Sequence, residues 1–231
     1  MWKKSLGGLT AITTLAALAS GTAVAGVDKV YDPYVEKGEV ELEARGVHGL
    51  DSGEYKTKVG IGYGVTSRWF VEGYLIGEKE DGDFEVEEAE IENKFQLSEQ
   101  GQYWADFGLL VELEKAFDED AWETKVGPLV QKQFGPVVAT GNLLFEKKFG
   151  DDVAHSEWET LGSAQLKYRL SPHLEPGIEY YGDEESHAVG PVLLGANPFG
   201  IEHVKWEAGL LFGLNDETED HIFRWQLEYE F

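Results

Sequence analysis

The chain has 231 residues, no cysteine and a formal net charge of −25 at pH 7. A surface with such an excess of carboxylates repels phosphate, so the composition argues against a nucleic-acid partner. Because the sequence lacks cysteine, disulfides cannot hold an exported form together, and its stability must come from the fold itself.

Residues 1–25 have the features of a secretory signal peptide. Lys3 and Lys4 form a positive start, a largely apolar stretch follows at 5–19, and the sequence AVA at 23–25 fits a cleavage site. A transmembrane anchor is the alternative. It fits less well, because the apolar stretch is shorter than the roughly 20 residues that a spanning helix needs and small residues follow it. The sequence therefore predicts export, with removal of residues 1–25.

From residue 38 onwards the chain has a two-residue period and no sustained helical period. The sequences VELEAR at 40–45 and YKTKVGIGYGV at 55–65 show apolar residues alternating with charged or small ones. Such alternation is typical of strands with one apolar and one polar face. The predicted strands are 38–47, 54–66, 69–78, 84–97, 102–114, 121–134, 136–149, 156–170, 173–182, 186–196, 202–213 and 221–231.

The connections between these stretches alternate in character. One set consists of short turns, at 66–68, 98–101, 134–136, 171–173 and 197–200. The other set is acidic, with the sequences HGLDSGE, EKEDGD, FDEDA, GDDVAH, GDEES and NDETED. An even number of antiparallel strands, with short turns at one end and polar loops at the other, is the pattern of bacterial outer-membrane barrels.

The chain ends in FRWQLEYEF at 223–231, where every second residue is large and apolar. Together with the export signal and the alternating strands, this ending resembles bacterial outer-membrane β-barrel proteins of the porin-like kind, whose last strand ends in an aromatic residue. The resemblance implies that the barrel assembly machinery recognises Tyr229 and Phe231. It covers the chain after residue 25, but it is architectural and indicates no narrower family.

The predicted fold is all-β: a closed antiparallel transmembrane β-barrel of about 12 strands at 38–231, in the outer membrane. Residues 26–37 are predicted to form a periplasmic lead-in. Closure is expected because hydrocarbon cannot hydrogen-bond a free sheet edge. A secreted soluble barrel or sandwich is the alternative, with its apolar face buried and its charged face in water. Aromatic residues near strand ends and small residues on the polar face favour the membrane barrel.

The predicted inward face carries more carboxylates than bases. The candidates for a cation path are Glu41, Glu43, Glu88, Glu90, Glu92, Glu112, Glu157 and Glu159. The run at 85–96 is the densest, because its glutamates follow at inward positions about 7 Å apart. This pattern favours a passive channel for small cationic or polar solutes. The alternative is a filled structural barrel, in which the carboxylates pair with bases on neighbouring strands and nothing passes.

The sequence does not favour an enzyme. Some barrel enzymes modify lipid with a nucleophile that lies within reach of a base. Here the pairs His155-Ser156 and Ser186-His187 are sequence neighbours, and neighbouring side chains in a strand point to opposite faces. Nothing singles out a catalytic acid pair among the many carboxylates. A lipid-modifying barrel enzyme is therefore the less favoured hypothesis.

Four histidines fall in or beside the acidic loops: His48, His155, His187 and His221. Imidazole with carboxylate suits zinc, copper or nickel, so these residues are the candidate metal ligands. Adjacent loops lie about 10 Å apart at two strand spacings each, so shared coordination requires the loops to fold inward. The acidic loops could also bridge lipopolysaccharide phosphates through a divalent cation. No resident cofactor is predicted.

Overall fold

The computed structural model describes residues 26–80 and 83–231, so the predicted signal peptide lies outside the described residues. In this part of the chain there are twelve strands and one short 3-10 helix, Pro198–Gly200. The strands are β1 (Val40–Gly49), β2 (Tyr55–Thr66), β3 (Trp69–Glu80), β4 (Asp83–Gln96), β5 (Asp106–Ala116), β6 (Trp122–Phe134), β7 (Val137–Phe149), β8 (Trp158–Tyr168), β9 (Glu175–Gly182), β10 (His187–Ala196), β11 (Val204–Gly213) and β12 (His221–Glu230).

Each strand pairs in antiparallel fashion with the strands before and after it, and β12 pairs with β1. The sheet is therefore a closed barrel, which confirms the predicted fold class. No helix in the described residues is long and apolar enough to cross a membrane.

The largest difference from the predicted strands is at the start of β5, which begins at Asp106 rather than at residue 102. The intervening residues form a turn. The Gly101 N–H donates to the Asp106 carboxylate at 2.6 Å, and the Phe107 N–H donates to the Ser98 hydroxyl at 2.9 Å. These bonds close the turn before β5, and the positive φ of Gly101, 73°, bends the chain.

The two faces of the sheet differ as the alternation predicts. In β2 the side chains of Val59 and Ile61 are 57% and 59% exposed, whereas the side chain of Lys58 in the same strand is buried. In β12 the apolar Leu227 is exposed and Arg224 is buried. An apolar exterior around a charged interior is the reverse of a soluble barrel, so the exterior contacts lipid.

The two ends of the barrel also differ. Residue 38 and the last residue lie at the end with the short turns, where the Gly38 N–H donates to the Gly64 carbonyl at 2.8 Å and the Phe231 N–H donates to the Val40 carbonyl at 2.9 Å. The acidic connections, such as those at 50–54 and 214–220, lie at the opposite end. Short turns mark the periplasmic end of outer-membrane barrels.

The last residue offers a test of the assembly role predicted for the terminal aromatics. Phe231 is 67% exposed and stacks edge to face on Tyr229, with ring centres 4.8 Å apart. Phe231→Ala is expected to lower the amount of assembled barrel, measured by heat-dependent gel migration of outer-membrane fractions. Glu230→Gln changes the adjacent inward residue and serves as the control. Equal assembly of both variants and the parent protein would contradict the role of the aromatic ending.

Candidate functional site in the lumen

Residues 26–38, called the N-terminal segment below, run through the barrel lumen. Gly26 lies beside Asp183 at the acidic-loop end, and Gly38 bonds to Gly64 at the short-turn end. An extended chain covers up to about 3.5 Å per residue, so a segment of this length can cross the roughly 30 Å hydrocarbon core. The sequence predicted a periplasmic lead-in at 26–37. The structure places these residues inside the barrel instead, because their side chains find partners on the lumen wall.

Tyr31 joins opposite walls of the lumen. Its N–H donates to the Asn142 side-chain oxygen at 2.8 Å, and the Asn142 side-chain nitrogen donates to the Tyr31 carbonyl at 2.8 Å. Its hydroxyl accepts a hydrogen bond of 3.2 Å from Arg45. Asn142 is in β7 and Arg45 in β1, which lie six strands apart in either direction around the barrel. Tyr31, which is 2% exposed, therefore bridges the full width of the lumen.

Apolar residues on the inner wall receive the apolar side chains of the N-terminal segment. Val27 packs in a buried cluster with Val47, Tyr181, Ala188, Leu211 and Ile222. Tyr31 packs in a second cluster with Leu110, Leu129 and Leu144. Full burial of one large apolar side chain contributes roughly 1.5–3 kcal/mol. These clusters hold the segment in the lumen together with the polar contacts.

The charged residues of the segment complement the wall. The Asp28 carboxylate lies 2.7 Å from Arg45 Nε and 3.2 Å from Lys58 Nζ. The Lys29 ammonium donates to Glu43 and lies 3.2 Å from Glu228. The charges of Asp28 and Lys29 are therefore compensated by residues of the barrel.

Further polar contacts fix the segment towards the short-turn end. The Tyr34 hydroxyl donates to the Asp106 carboxylate at 2.7 Å, and the Val35 N–H donates to the Gln96 side-chain oxygen at 2.9 Å. Pro33 packs over Gly108, where a Cβ would lie 2.9 Å from the Pro33 Cβ, so the missing side chain makes room for the segment.

A row of carboxylates crosses neighbouring strands beside this segment. Strand register aligns Glu72 in β3 with Glu92 in β4 and Glu112 in β5. We call these three residues the acidic row. All three are buried, and in the described part of the chain each has a carboxylate oxygen without a hydrogen-bond partner. Arg45 lies 3.9 Å from Glu92 and Lys125 lies 3.8 Å from Glu112, which are long distances for ion pairs. The row thus retains capacity to accept a cation.

The predicted cation-path residues fall into two groups. Those that line the lumen as buried side chains are Glu41, Glu43, Glu90, Glu92 and Glu112. Glu88 is partly buried near Lys56, whereas Glu157 and Glu159 are exposed at the acidic-loop end. Glu72 and Glu114 were not among the candidates, although both are buried on the inner face. The alternation of β3 and β5 assigns both residues to inward positions, so it could have added them to the candidates.

A cavity of about 550 Å³ lies on the acidic-loop side of the N-terminal segment. Its wall carries charges of both signs, including Lys56, Lys125, Glu114 and Glu123. From the N-terminal segment, the lining includes Gly26, Val27, Asp28, Lys29 and Tyr31. The cavity therefore carries many charged side chains beside an apolar part of its wall, and residues of the N-terminal segment border it.

The loop histidines do not come together. The His221 ring nitrogen lies 3.0 Å from the Asp51 carboxylate, and the His187 ring nitrogen lies 2.9 Å from the Tyr180 hydroxyl. Within residues 26–80 and 83–231, the groups of three potential metal ligands consist of glutamates and include no histidine. The candidate ligands His48, His155, His187 and His221 thus form no shared group of three ligands in these residues, and the rings of His187 and His221 instead contact side chains of the neighbouring strand or loop.

The glutamate groups lie near the periplasmic end. One comprises Glu39, Glu41 and Glu230, and the other comprises Glu41, Glu43 and Glu228. Burial and the neighbouring Glu230 carboxyl raise the pKa of Glu39 to about 7. Glu39, which precedes β1, therefore binds a proton more readily than an isolated glutamate.

Solved structures share the barrel architecture. No protein-family model matches the sequence, and no curated protein shows significant sequence similarity to it. An outer membrane channel from Pseudomonas putida F1 has a TM-score of 0.62 at 11% identity, and the alignment covers 89% of this chain and 100% of that chain. The translocator domain of the autotransporter NalP from Neisseria meningitidis has a TM-score of 0.48 at 14% identity, with 85% and 89% of the two chains covered.

At such low identity, the similarity to the Pseudomonas channel shows a common fold. That fold agrees with the closed sheet, the lipid-facing apolar exterior and the charged lumen described above. The protein is a β-barrel of the bacterial outer-membrane class and is located in the outer membrane.

Proposed function

We propose that the protein is a passive channel for small cationic or polar solutes, and that its N-terminal segment closes the lumen in this conformation. The observation that carries the proposal is the acidic row. Its buried carboxylates line the lumen, and among the described residues each keeps one oxygen without a hydrogen-bond partner. Rings of carboxylates at a narrow passage favour cations over anions.

The segment explains why such a lumen is closed. Tyr31 bridges its width, and residues of the segment border the cavity on the acidic-loop side. Conduction would require these residues to leave the wall. The second candidate function is a filled structural barrel that conducts nothing, which the many contacts of the N-terminal segment also support.

Asn142→Ala separates these two functions. The change removes both hydrogen bonds that hold the Tyr31 backbone, and one hydrogen bond contributes about 0.5–1.5 kcal/mol. In planar bilayers under a salt gradient, this variant is expected to open more often than the parent protein and to pass cations over anions. High salt should weaken the preference by screening. Absence of conductance in both proteins would favour the filled barrel.

Charge removal tests the role of the acidic row. In the Asn142→Ala background, Glu72→Gln, Glu92→Gln and Glu112→Gln together should move the reversal potential towards zero selectivity, because amides keep the size of the side chain and lose its charge. Glu157→Gln with Glu159→Gln is the control, since it removes exposed carboxylates at the acidic-loop end. An equal shift in both sets would assign selectivity to the general charge of the protein.

A further inference from the structure

The Lys29 side chain occupies a cluster of carboxylates on the lumen wall. Its ammonium donates to the Glu43 carboxylate and lies 3.2 Å from that of Glu228. The Tyr31 ring lies on another side, with its centre 5.6 Å from the Lys29 nitrogen. Carboxylate acceptors and an aromatic face are the groups that bind ammonium ions in proteins.

The cluster has more acceptors than Lys29 uses. Oxygens of Glu41, Glu43 and Glu228 lie within 4.8 Å of one another. The register pairs Glu41 with Gly62, and Gly62 with Glu72 on the next strand. Since Gly62 has no side chain, the Glu72 carboxyl carbon lies only 3.3 Å from where a Cβ would stand.

Glu72 is therefore directed across Gly62 towards Glu41. It is 2% exposed, and its Oε1 has no hydrogen-bond partner in the part of the chain that the structure describes. A buried carboxylate oxygen without a partner is costly, so its presence at an occupied cation site indicates a second acceptor for the same kind of ligand.

The geometry points to a binding site for a primary ammonium ion formed by Glu41, Glu43, Glu72 and Glu228, which Lys29 occupies while the N-terminal segment is in the lumen. A primary ammonium group is a compact positive charge with three N–H donors, so it can bind several carboxylates that surround one point. A divalent metal suits the site less well, because Arg45 and Gln226 already donate to the Glu43 oxygens.

The site predicts that the proposed channel takes primary ammonium ions as solutes, and this part of the inference rests on the proposed function. Binding itself does not require conduction. It can be measured on purified protein, so a failure of binding and a failure of conductance are separate results. When the segment leaves the lumen, an alkylammonium solute would take the position of Lys29.

Chemical rescue tests the site. Lys29→Ala removes the internal ammonium, so the purified variant in detergent should unfold at a lower temperature than the parent protein. Ethylammonium chloride at millimolar concentration should raise that temperature in the variant and have little effect on the parent protein. Tetramethylammonium chloride, which has the same charge and no N–H donor, should restore much less.

Matched variants identify the residues involved. Glu72→Gln in the Lys29→Ala background should weaken ethylammonium binding about tenfold or more, because a hydrogen bond to a charged group is lost. Lys37→Ala removes an exposed lysine of the same segment and should show no rescue. Lys29→Met, which keeps the apolar stem and vacates only the ammonium position, replaces Lys29→Ala if the latter fails to assemble, with ammonium chloride in place of ethylammonium chloride as the probe.

Three results would overturn the inference. Equal rescue by tetramethylammonium would show general screening of charge, and stronger rescue by calcium chloride would show a divalent-cation site. Absence of rescue in both Lys29 variants would show that the carboxylates serve the segment alone.

Discussion

Gly26→Cys combined with Asp183→Cys is expected to lock the lumen shut under oxidising conditions. A Cβ at Gly26 would lie 3.9 Å from the Asp183 Cβ, within the roughly 3.5–4.5 Å that disulfides require. The chain has no cysteine, so no other thiol competes. In the Asn142→Ala background, bilayer conductance should be lost on oxidation and return with a reductant, because the disulfide holds the N-terminal segment at the acidic-loop end.

Single-cysteine variants are the controls for this experiment. Gly26 has a φ of 81°, where a side chain costs about 1–2 kcal/mol, and the Asp183 carboxylate accepts hydrogen bonds from the backbone at 185 and 186. Either single change could therefore loosen the segment, but neither should respond to a reductant. Equal conductance of the oxidised and reduced double variant would mean that solutes pass without movement of the segment.

The barrel wall could be predicted from the sequence because strand periodicity is a local property. In β2 the alternation assigns Val59 and Ile61 to lipid and Lys58 to the lumen, and the structure agrees. Turn chemistry also gave the strand limits closely, except at β5. There the side chains of Ser98 and Asp106 extend the turn by bonding to the backbone.

The position of the N-terminal segment could not be predicted in the same way. Its place depends on contacts over long sequence separations, such as Tyr31 with Asn142, which no local pattern reveals. One signal was present. This signal is that the inward faces of the strands, which are otherwise polar, carry the apolar residues Val47, Leu211 and Ile222. Inward apolar side chains need an apolar partner inside the lumen, and Val27 supplies it.

The sequence predicted that the inward face carries a negative net charge, but it did not predict which acidic and basic residues pair there. The densest acidic run includes Glu90, whose charge is compensated by Lys58 at 2.8 Å. Glu72 lies in β3, where apolar residues on both faces weaken the pattern, and yet it holds an oxygen without a partner among the described residues. Charge density along one strand therefore predicts uncompensated carboxylates less well than the register between strands does, because the compensating bases lie on neighbouring strands.

The largest loss of stability is expected for Arg224→Met. Arg224 is 1% exposed, and one of its terminal nitrogens lies 2.9 and 2.8 Å from the two oxygens of Glu179. The other donates to Glu207 at 2.7 Å. Gly209 lies under the Arg224 stem, which allows the side chain to extend from β12 towards β9. Removing the arginine leaves a buried charge on Glu179, and loss of one partner of a buried pair costs about 3–5 kcal/mol.

Urea unfolding of barrels in detergent would measure this effect. Arg68→Met is the matched control, because Arg68 pairs with Glu99 through side chains that are 52% and 65% exposed. Exposed pairs contribute about 0–1 kcal/mol, so the control should unfold close to the parent protein. Glu179→Met added to Arg224→Met should recover part of the loss, since an apolar pair leaves no buried charge there. If Arg224→Met were as stable as Arg68→Met, water would reach Glu179 in the folded barrel, and the lumen at this depth would be hydrated rather than packed.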